Sequence, residues 1–578
     1  MIRRYYEEEM RYLHEAGREF ARLHPEQAGL LDLDSVTDRD PYVERLFEGF
    51  AFLTGRVRER LDDELPEYTE SLFRLLHPAF LKPFPSATIL SFEPRPGMVQ
   101  TTTTLAAGTE VRSGSVGDEG TVCRFTTAYT VTLQPIRLRD VRLAWPSRDT
   151  STVTLRFQVD HGTDFSKLDL RRLRLHFHAE AATADAMRRF FWRHVAQVTV
   201  RAGETAVTIP GAEAVQPVGL TPEEGLLPDS DPFVGHRLLE YFCFRAKYDF
   251  VDLLGLDRLV PSPGEVFFEV EILFDGVFPE EHAFTAEHLR LYCTPAVNVF
   301  EQDVEPIRVD HRSAEYRVVG DVNRRQGVRV YDVRAVESIE DRTGRRHNYA
   351  PFFDFGFDAD GGRFYHEHSV TGPDGCREVA LVVAGFGDDV DDLPVETLSI
   401  TARCTNGTLP HEALDEGAIC KPGPGLPNVA AFKNLTRPTR ELDPPLAADG
   451  QLYWKLLSHL AFNRMSVATP DALAGVLALY EWTGSEANRR RIDGLRDVAW
   501  APKTRLHRGS VLRGSEIRLT VQEDHFSDAG DLLLFGEVLS AFLSGYATLN
   551  SFVHLTITAA PGGKEYRWQP TKGTQPLA

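Results

Sequence analysis

Pro83-Phe-Pro-Ser-Ala-Thr-Ile-Leu-Ser-Phe92 marks the point where the hydrophobic period of this chain changes. Upstream, apolar residues recur every three or four positions, the spacing of one helix face. Downstream they alternate, the spacing of a strand with one face buried. The change predicts an α+β, multidomain chain: a helical N-terminal segment, then a β-rich middle of sandwich or barrel type, then a mixed α/β C-terminal part.

Before the change, Asp40-Pro41 reads as a helix start, an N-cap acceptor followed by proline at the first helical position. Val43, Leu46, Phe47, Phe50, Leu53, Val57 and Leu61 then hold one face for several turns, with Glu44, Arg45, Glu48, Arg56, Arg58 and Glu59 on the other. A weaker stripe runs through Tyr5, Tyr12, Leu13, Ala16, Phe20 and Leu23, and a third helix is expected from Tyr68 to Leu76. The long stripe has two readings: packing within its own domain, or completing its core with another chain. A helical stretch of this size builds only a small core alone.

After the change come Ala87-Thr-Ile-Leu-Ser-Phe92, Thr152-Val-Thr-Leu-Arg-Phe-Gln-Val159 and Val266-Phe-Phe-Glu-Val-Glu-Ile-Leu-Phe274, punctuated by Gly, Pro and Asp. Residues 86–280 are expected as a first β-rich domain, with one helix from Ala184 to Val195, and residues 281–417 as a second. Residues 418–446, rich in Pro and Gly, read as a linker and candidate hinge. In residues 447–578, helices are expected at Tyr453–Phe462, Asp471–Trp482 and Asp531–Thr548, then a strand at Phe552–Thr558 and a polar tail from Pro561.

With 85 acidic and 64 basic side chains in 578 residues, the net charge is −21. That disfavours nucleic acid and anionic membrane surfaces as main partners. The charged N-terminus lacks the apolar stretch of a signal peptide, and no segment is long and apolar enough for a membrane span, so a cytoplasmic protein is expected. The six cysteines lack zinc-site spacing and read as free thiols. His366-Glu-His368, and likewise His176 with His178, could offer two imidazoles on one strand face, yet neither pair has a nameable third ligand. Asp388, Asp389, Asp391 and Asp392 lack the order of a calcium loop and read as a solvated turn. Gly423-Pro-Gly425 only begins like a dinucleotide loop. No cofactor, metal or catalytic residue is expected. The competing reading is a cytosolic hydrolase on a β-sandwich scaffold, which would need a concave site with a convergent carboxylate pair.

Several segments, in order along the chain, carry a family resemblance. They are Tyr5-Tyr-Glu-Glu-Glu-Met-Arg-Tyr-Leu-His14, Asp40-Pro-Tyr-Val-Glu-Arg-Leu46, Val218-Gly-Leu220 with Glu223-Glu-Gly-Leu-Leu-Pro228, Phe233-Val-Gly-His-Arg-Leu-Leu-Glu-Tyr-Phe242, Cys293-Thr-Pro-Ala-Val-Asn298, Cys404-Thr-Asn406, Trp454-Lys-Leu-Leu-Ser-His-Leu460, and Leu534-Phe-Gly536 with Tyr546. Together they resemble the TssF (VasA/ImpG) family of type VI secretion baseplate subunits. Gly407 and His236 stand where that pattern has Arg and Tyr. The resemblance implies a structural protein, not an enzyme, related in fold to phage baseplate wedge proteins. It implies a wedge of two such chains with one TssG, wedges around a central spike, and a platform for the contractile sheath and tube. TssK joins it to the membrane complex at the cytoplasmic face of the inner membrane, and TssE attaches near the sheath. It also implies that Val43, Leu46, Phe47, Phe50, Leu53 and Val57 face a shared helical bundle.

Overall fold

In the computed structural model the described residues are 6–7, 9–13, 42, 45–54, 56 and 78–573, less 161, 164, 166–167, 228–234, 261–263, 353–361, 373–374, 386–394, 446–466 and 508–509. The chain divides into two compact units, Met1–Leu81 with Pro445–Leu457, and Lys82–Pro444 with Ser458–Ala578. In the first, residues 9–13 and 45–54 are helical, as their periods require. The helices expected at Tyr68–Leu76 and Tyr453–Phe462 lie outside the described residues.

In the second unit the strand Ala87–Pro94 follows the period change directly. Its residues Ala87 to Phe92 are all buried, since it lies inside a six-stranded sheet between Cys293–Val297 and Ala430–Asn434. The same sheet takes Glu110–Val116, Thr121–Thr127 and Ile419–Pro422. Two expectations change here. Residues 418–446 are not a free linker: they supply two strands of this sheet, and Asn434, fully buried, donates to the Asp415 and Thr436 carbonyls at 2.9 and 3.0 Å. The expected boundary near 280 falls between Phe267–Phe274 and Leu289–Leu291, two strands that wall one core, and the one near 417 falls just before Ile419–Pro422 of this sheet. Proline and glycine content reported the turns between strands and missed the pairing, which is long-range.

Beside it, a five-stranded sheet (Ile136–Ala144, Ser151–Val159, Val195–Ala202, Thr205–Pro210, Phe267–Phe274) and a four-stranded sheet enclose one aromatic core. Phe157 and Phe268 stack there at 4.9 Å. The expected helix within this region runs Ala181–Arg193, and Val195 already begins a strand. A further eight-stranded sheet, built around Arg329–Glu340 and Glu396–Thr405, has its own core of Val, Leu, Ile and Tyr.

The C-terminal part pairs Leu495–His507 with Ser510–Gln522 as a hairpin, and Ser510–Gln522 with Phe552–Ala560 in parallel. A parallel pair needs a crossover connection. Here it contains the helix Ala529–Leu543, buried on nearly all sides and capped by Asp528, whose side chain accepts from the Asp531 N–H at 2.8 Å. The helix ends before the expected Thr548, in a short turn Ser544–Tyr546. Part of the expected polar tail is also strand: Lys564–Arg567 and Thr571–Lys572 pair with Phe552–Ala560.

Candidate partner interface and internal anchors

The N-terminal stripe is split by the structure. Leu46, Phe50 and Leu53 are 58, 54 and 61% exposed, whereas Phe47 is half-buried and Ala51, one turn on, is fully buried. The helix thus turns its Phe47–Ala51 line inward and leaves a parallel apolar line open, which Tyr42, 83% exposed, extends by a turn. Burying a large aliphatic or aromatic side chain is worth about 1.5–3 kcal/mol, so an open row of them is a candidate binding face. Val43 and Val57 lie outside the described residues.

The motif residues of the second unit form internal ties. Asn298 and Asn406 are fully buried and bond to each other, and Asn406 also accepts from the Arg124 N–H at 3.0 Å and donates to the Gly327 carbonyl at 2.7 Å. This joins the six-stranded sheet to the eight-stranded one. Nearby, Asp332 accepts from Arg403 Nε at 2.8 Å and from Lys82 Nζ. Burial raises the Asp332 carboxyl, but the Arg403 hydrogen bond and the Lys82 charge outweigh it and hold it below its usual range. The Phe84 and Leu442 backbones exchange hydrogen bonds of 2.8 and 2.9 Å beside this site. Glu441 is buried next to them, 3.9 Å from Arg329.

In the 218–242 motif, Glu224 accepts from the Gly219 and Thr221 N–H groups and, at 3.3 Å, from Arg174. Glu240 accepts from the Leu226 N–H at 2.7 Å and pairs with Lys247, both side chains being almost wholly buried. The C-terminal helix is fixed through Asp531, which binds Arg245 at 2.9 Å and Arg491 at 3.0 Å, while Arg245 also reaches Asp185 at 2.8 Å. Gly536 of that helix lies against the Trp568 ring, with no room for a Cβ.

The candidate chemistry reads differently. His176 is buried, bonded through Nδ1 to the Asp249 carbonyl at 3.0 Å, and burial drives its pKa down to about 3. His366 and His368 stack 6.3 Å apart on one strand, and His368 meets Glu315 at 2.8 Å. No group of three or more His, Cys, Asp or Glu among the described residues could hold a metal. Asp388, Asp389, Asp391 and Asp392 lie outside them. The six cysteines are free, four of them buried, with Cys420 exposed. A cavity of about 580 Å³ is lined by Tyr129, Arg174, Glu223 and Glu224 among others. Its Asp169 is bound to Arg171 and its Glu224 is held as above, so both carboxylates serve hydrogen bonds within the protein.

The model for "Type VI secretion system, TssF" matches residues 1–575. The chain belongs to the TssF family. It is similar to type VI secretion system component TssF1 of Pseudomonas aeruginosa, 30% identical over 632 aligned residues covering 99% of this chain and 98% of that one. Among solved structures it is similar to a chain of the TssK-TssF-TssG baseplate subcomplex determined by cryo-electron microscopy (TM-score 0.77, 31% identity, 92% of this chain and 100% of that one). It is also similar to a chain of the type VI secretion baseplate complex (TM-score 0.63, 31% identity, all of both chains).

Within this TssF chain, Gly407 takes a positive φ of 59° and a Cβ there would come 2.8 Å from Arg329 Nε. The Arg329 side chain thus fills the space a side chain at position 407 would need. The anchors Lys82, Asp332, Arg403, Asp185, Arg245, Arg491 and Asp531 went unnoticed in the sequence. For Asp332 the reason is local: the strand carries a register shift between Val330 and Asp332, so simple alternation misreports which way it faces.

Proposed function

We propose that this chain is a structural subunit of a type VI secretion baseplate, working through its assembled shape. In this reading two copies join one TssG in a wedge. TssK, TssE and the central spike contact the wedge, and the platform supports sheath and tube at the cytoplasmic face of the inner membrane. The observation that carries the reading is the open apolar line Leu46–Phe50–Leu53 on a helix of the N-terminal unit. The similarity to chains of TssK-TssF-TssG and baseplate complexes supports the choice of partners. No described helix is long and apolar enough to cross a membrane, in keeping with attachment through other subunits.

Helices from TssG and the second copy would cover this line, as in a coiled bundle, with Val43 and Val57 extending it and the part of Phe47 left exposed at its edge. The test is co-purification: Phe50→Asp combined with Leu53→Asp should abolish recovery of TssG while leaving the chain soluble. Recovery of TssG at full yield would contradict the bundle contact.

A further inference from the structure

The hairpin Leu495–His507/Ser510–Gln522 outruns its sheet. Phe552–Ala560 pairs with the second strand only from Ser515 onward, so the five residue pairs from Lys503–Gly514 to His507–Ser510 stand as a two-stranded ribbon. That is a projection of about 15 Å, and a lone two-stranded ribbon is only marginally stable in water. Its register puts Trp500, Pro502, Thr504 and Leu506 on one face with Ser515, Arg513 and Val511 opposite them. At the outer end of that face Leu506 and Val511 are a cross-strand pair, 72 and 67% exposed. At its base lies a cavity of about 470 Å³, lined by Ala468, Trp500, Pro502, Arg513, Ser515 and Thr548.

The arm is locally basic. Between Asp497 and Glu516 the sequence holds Lys503, Arg505, Arg508 and Arg513 and no acid, in a chain of net charge −21. Lys503 is bound to Glu516 at 2.7 Å, but Arg513 has no ion-pair partner among the described residues. Pro502 on the outer strand lacks an N–H to offer, which discourages strand addition along that edge. An aliphatic pair without Trp or Tyr is a poor membrane anchor, and the strongly acidic body opposes a polyanion.

We propose that this face is a docking arm for an acidic segment of another protein of the same assembly. An apolar side chain of that segment fills the cavity beside Trp500, Leu506 and Val511 gain cover, and a neighbouring carboxylate meets Arg513. The inference rests on the baseplate reading, since it takes the partner from that assembly.

The test places a benzoylphenylalanine photo-crosslinker at Val511 in the full-length chain, produced in cells together with the other subunits of its secretion system. The expected product is a cross-link to one subunit, at a peptide rich in Asp or Glu. Its yield should fall about tenfold with Arg513→Glu, as for loss of a desolvated charge pair. Arg505→Glu, which makes the same charge change on the opposite face, should leave the yield near its starting value. Recovery of TssG, measured in the same cells, should be unchanged by either variant. Cross-linking only to lipid, nucleic acid or the chain itself would overturn the proposal, as would no cross-link or equal sensitivity to both variants. Absence of TssG from the unsubstituted preparation would instead overturn the baseplate reading, and the docking arm with it.

Discussion

Asn298 and Asn406 bond to each other reciprocally across 108 residues of chain: the Asn298 amide donates to Asn406 Oδ1 at 2.7 Å, and the Asn406 backbone N–H donates to Asn298 Oδ1 at 2.6 Å. Asn406→Ala removes the acceptor for the Arg124 N–H and the Asn298 amide and the donor for the Gly327 carbonyl. Each buried group left unpaired costs about 1–3 kcal/mol, and partial relaxation brings the expected total to about 2–4 kcal/mol. The urea midpoint of the variant checks this; a midpoint matching the parent would mean the two sheets are held together elsewhere.

Asp531→Asn tests the anchoring of the C-terminal helix. Burial raises this carboxyl, but the charges of Arg245 and Arg491 outweigh it and keep it ionised. Neutralising it leaves two guanidinium groups with one fewer counter-charge in a buried site. The expected loss is about 3–5 kcal/mol, read as a lower thermal midpoint.

Glu441 gives the chain a pH signature. Burial pushes its carboxyl up to about 7 from 4.5, against the Thr405 hydrogen bond and the Arg329 charge. The folded state therefore keeps a proton that the unfolded chain releases above 4.5. The Glu441 contribution is fully present below that value and is lost as pH rises through about 7, beyond which it is level. Glu441→Gln cannot ionise, so it should match the parent near the acid end of this window and exceed it by about 3 kcal/mol at pH 8. A constant offset between the two unfolding curves across that range would contradict a protonated Glu441.

The sequence carried the architecture where the signal is local. The period change at Pro83–Pro85 placed the start of the β-rich body, and the apolar run from Asp531 was legible as a helix, although its cap Asp528 and its end at Leu543 were not. It misled where pairing is long-range. Ala430–Asn434 sits beside Ala87–Pro94 in one sheet, and no feature of residues 418–446 alone reports that. The candidate binding face was half legible: a period of three to four residues marks Leu46, Phe47, Phe50 and Leu53 together, but only packing separates the inward Phe47 from the outward three. The Arg and Asp anchors were hidden because surface and buried charges look alike in a sequence with so many of both.

Leu53→Ala should behave differently in the two states of assembly. At 61% exposure in the chain, Leu53 has little to lose, and its truncation should change unfolding of the isolated protein by about 0.5 kcal/mol or less. If a partner helix covers it, the same change should weaken the complex by about 2–5 kcal/mol. Titration of TssG against each form measures that difference, and equal affinity would show that Leu53 stays uncovered.

The most direct measurement is the native mass of the complex formed when this chain is co-expressed with its cognate TssG. The expected mass is that of two copies of this chain with one TssG, lost when Phe50→Asp and Leu53→Asp are introduced together. A species with any other ratio would contradict the wedge, and the same complex formed undiminished by the double variant would contradict the helix face as its seat.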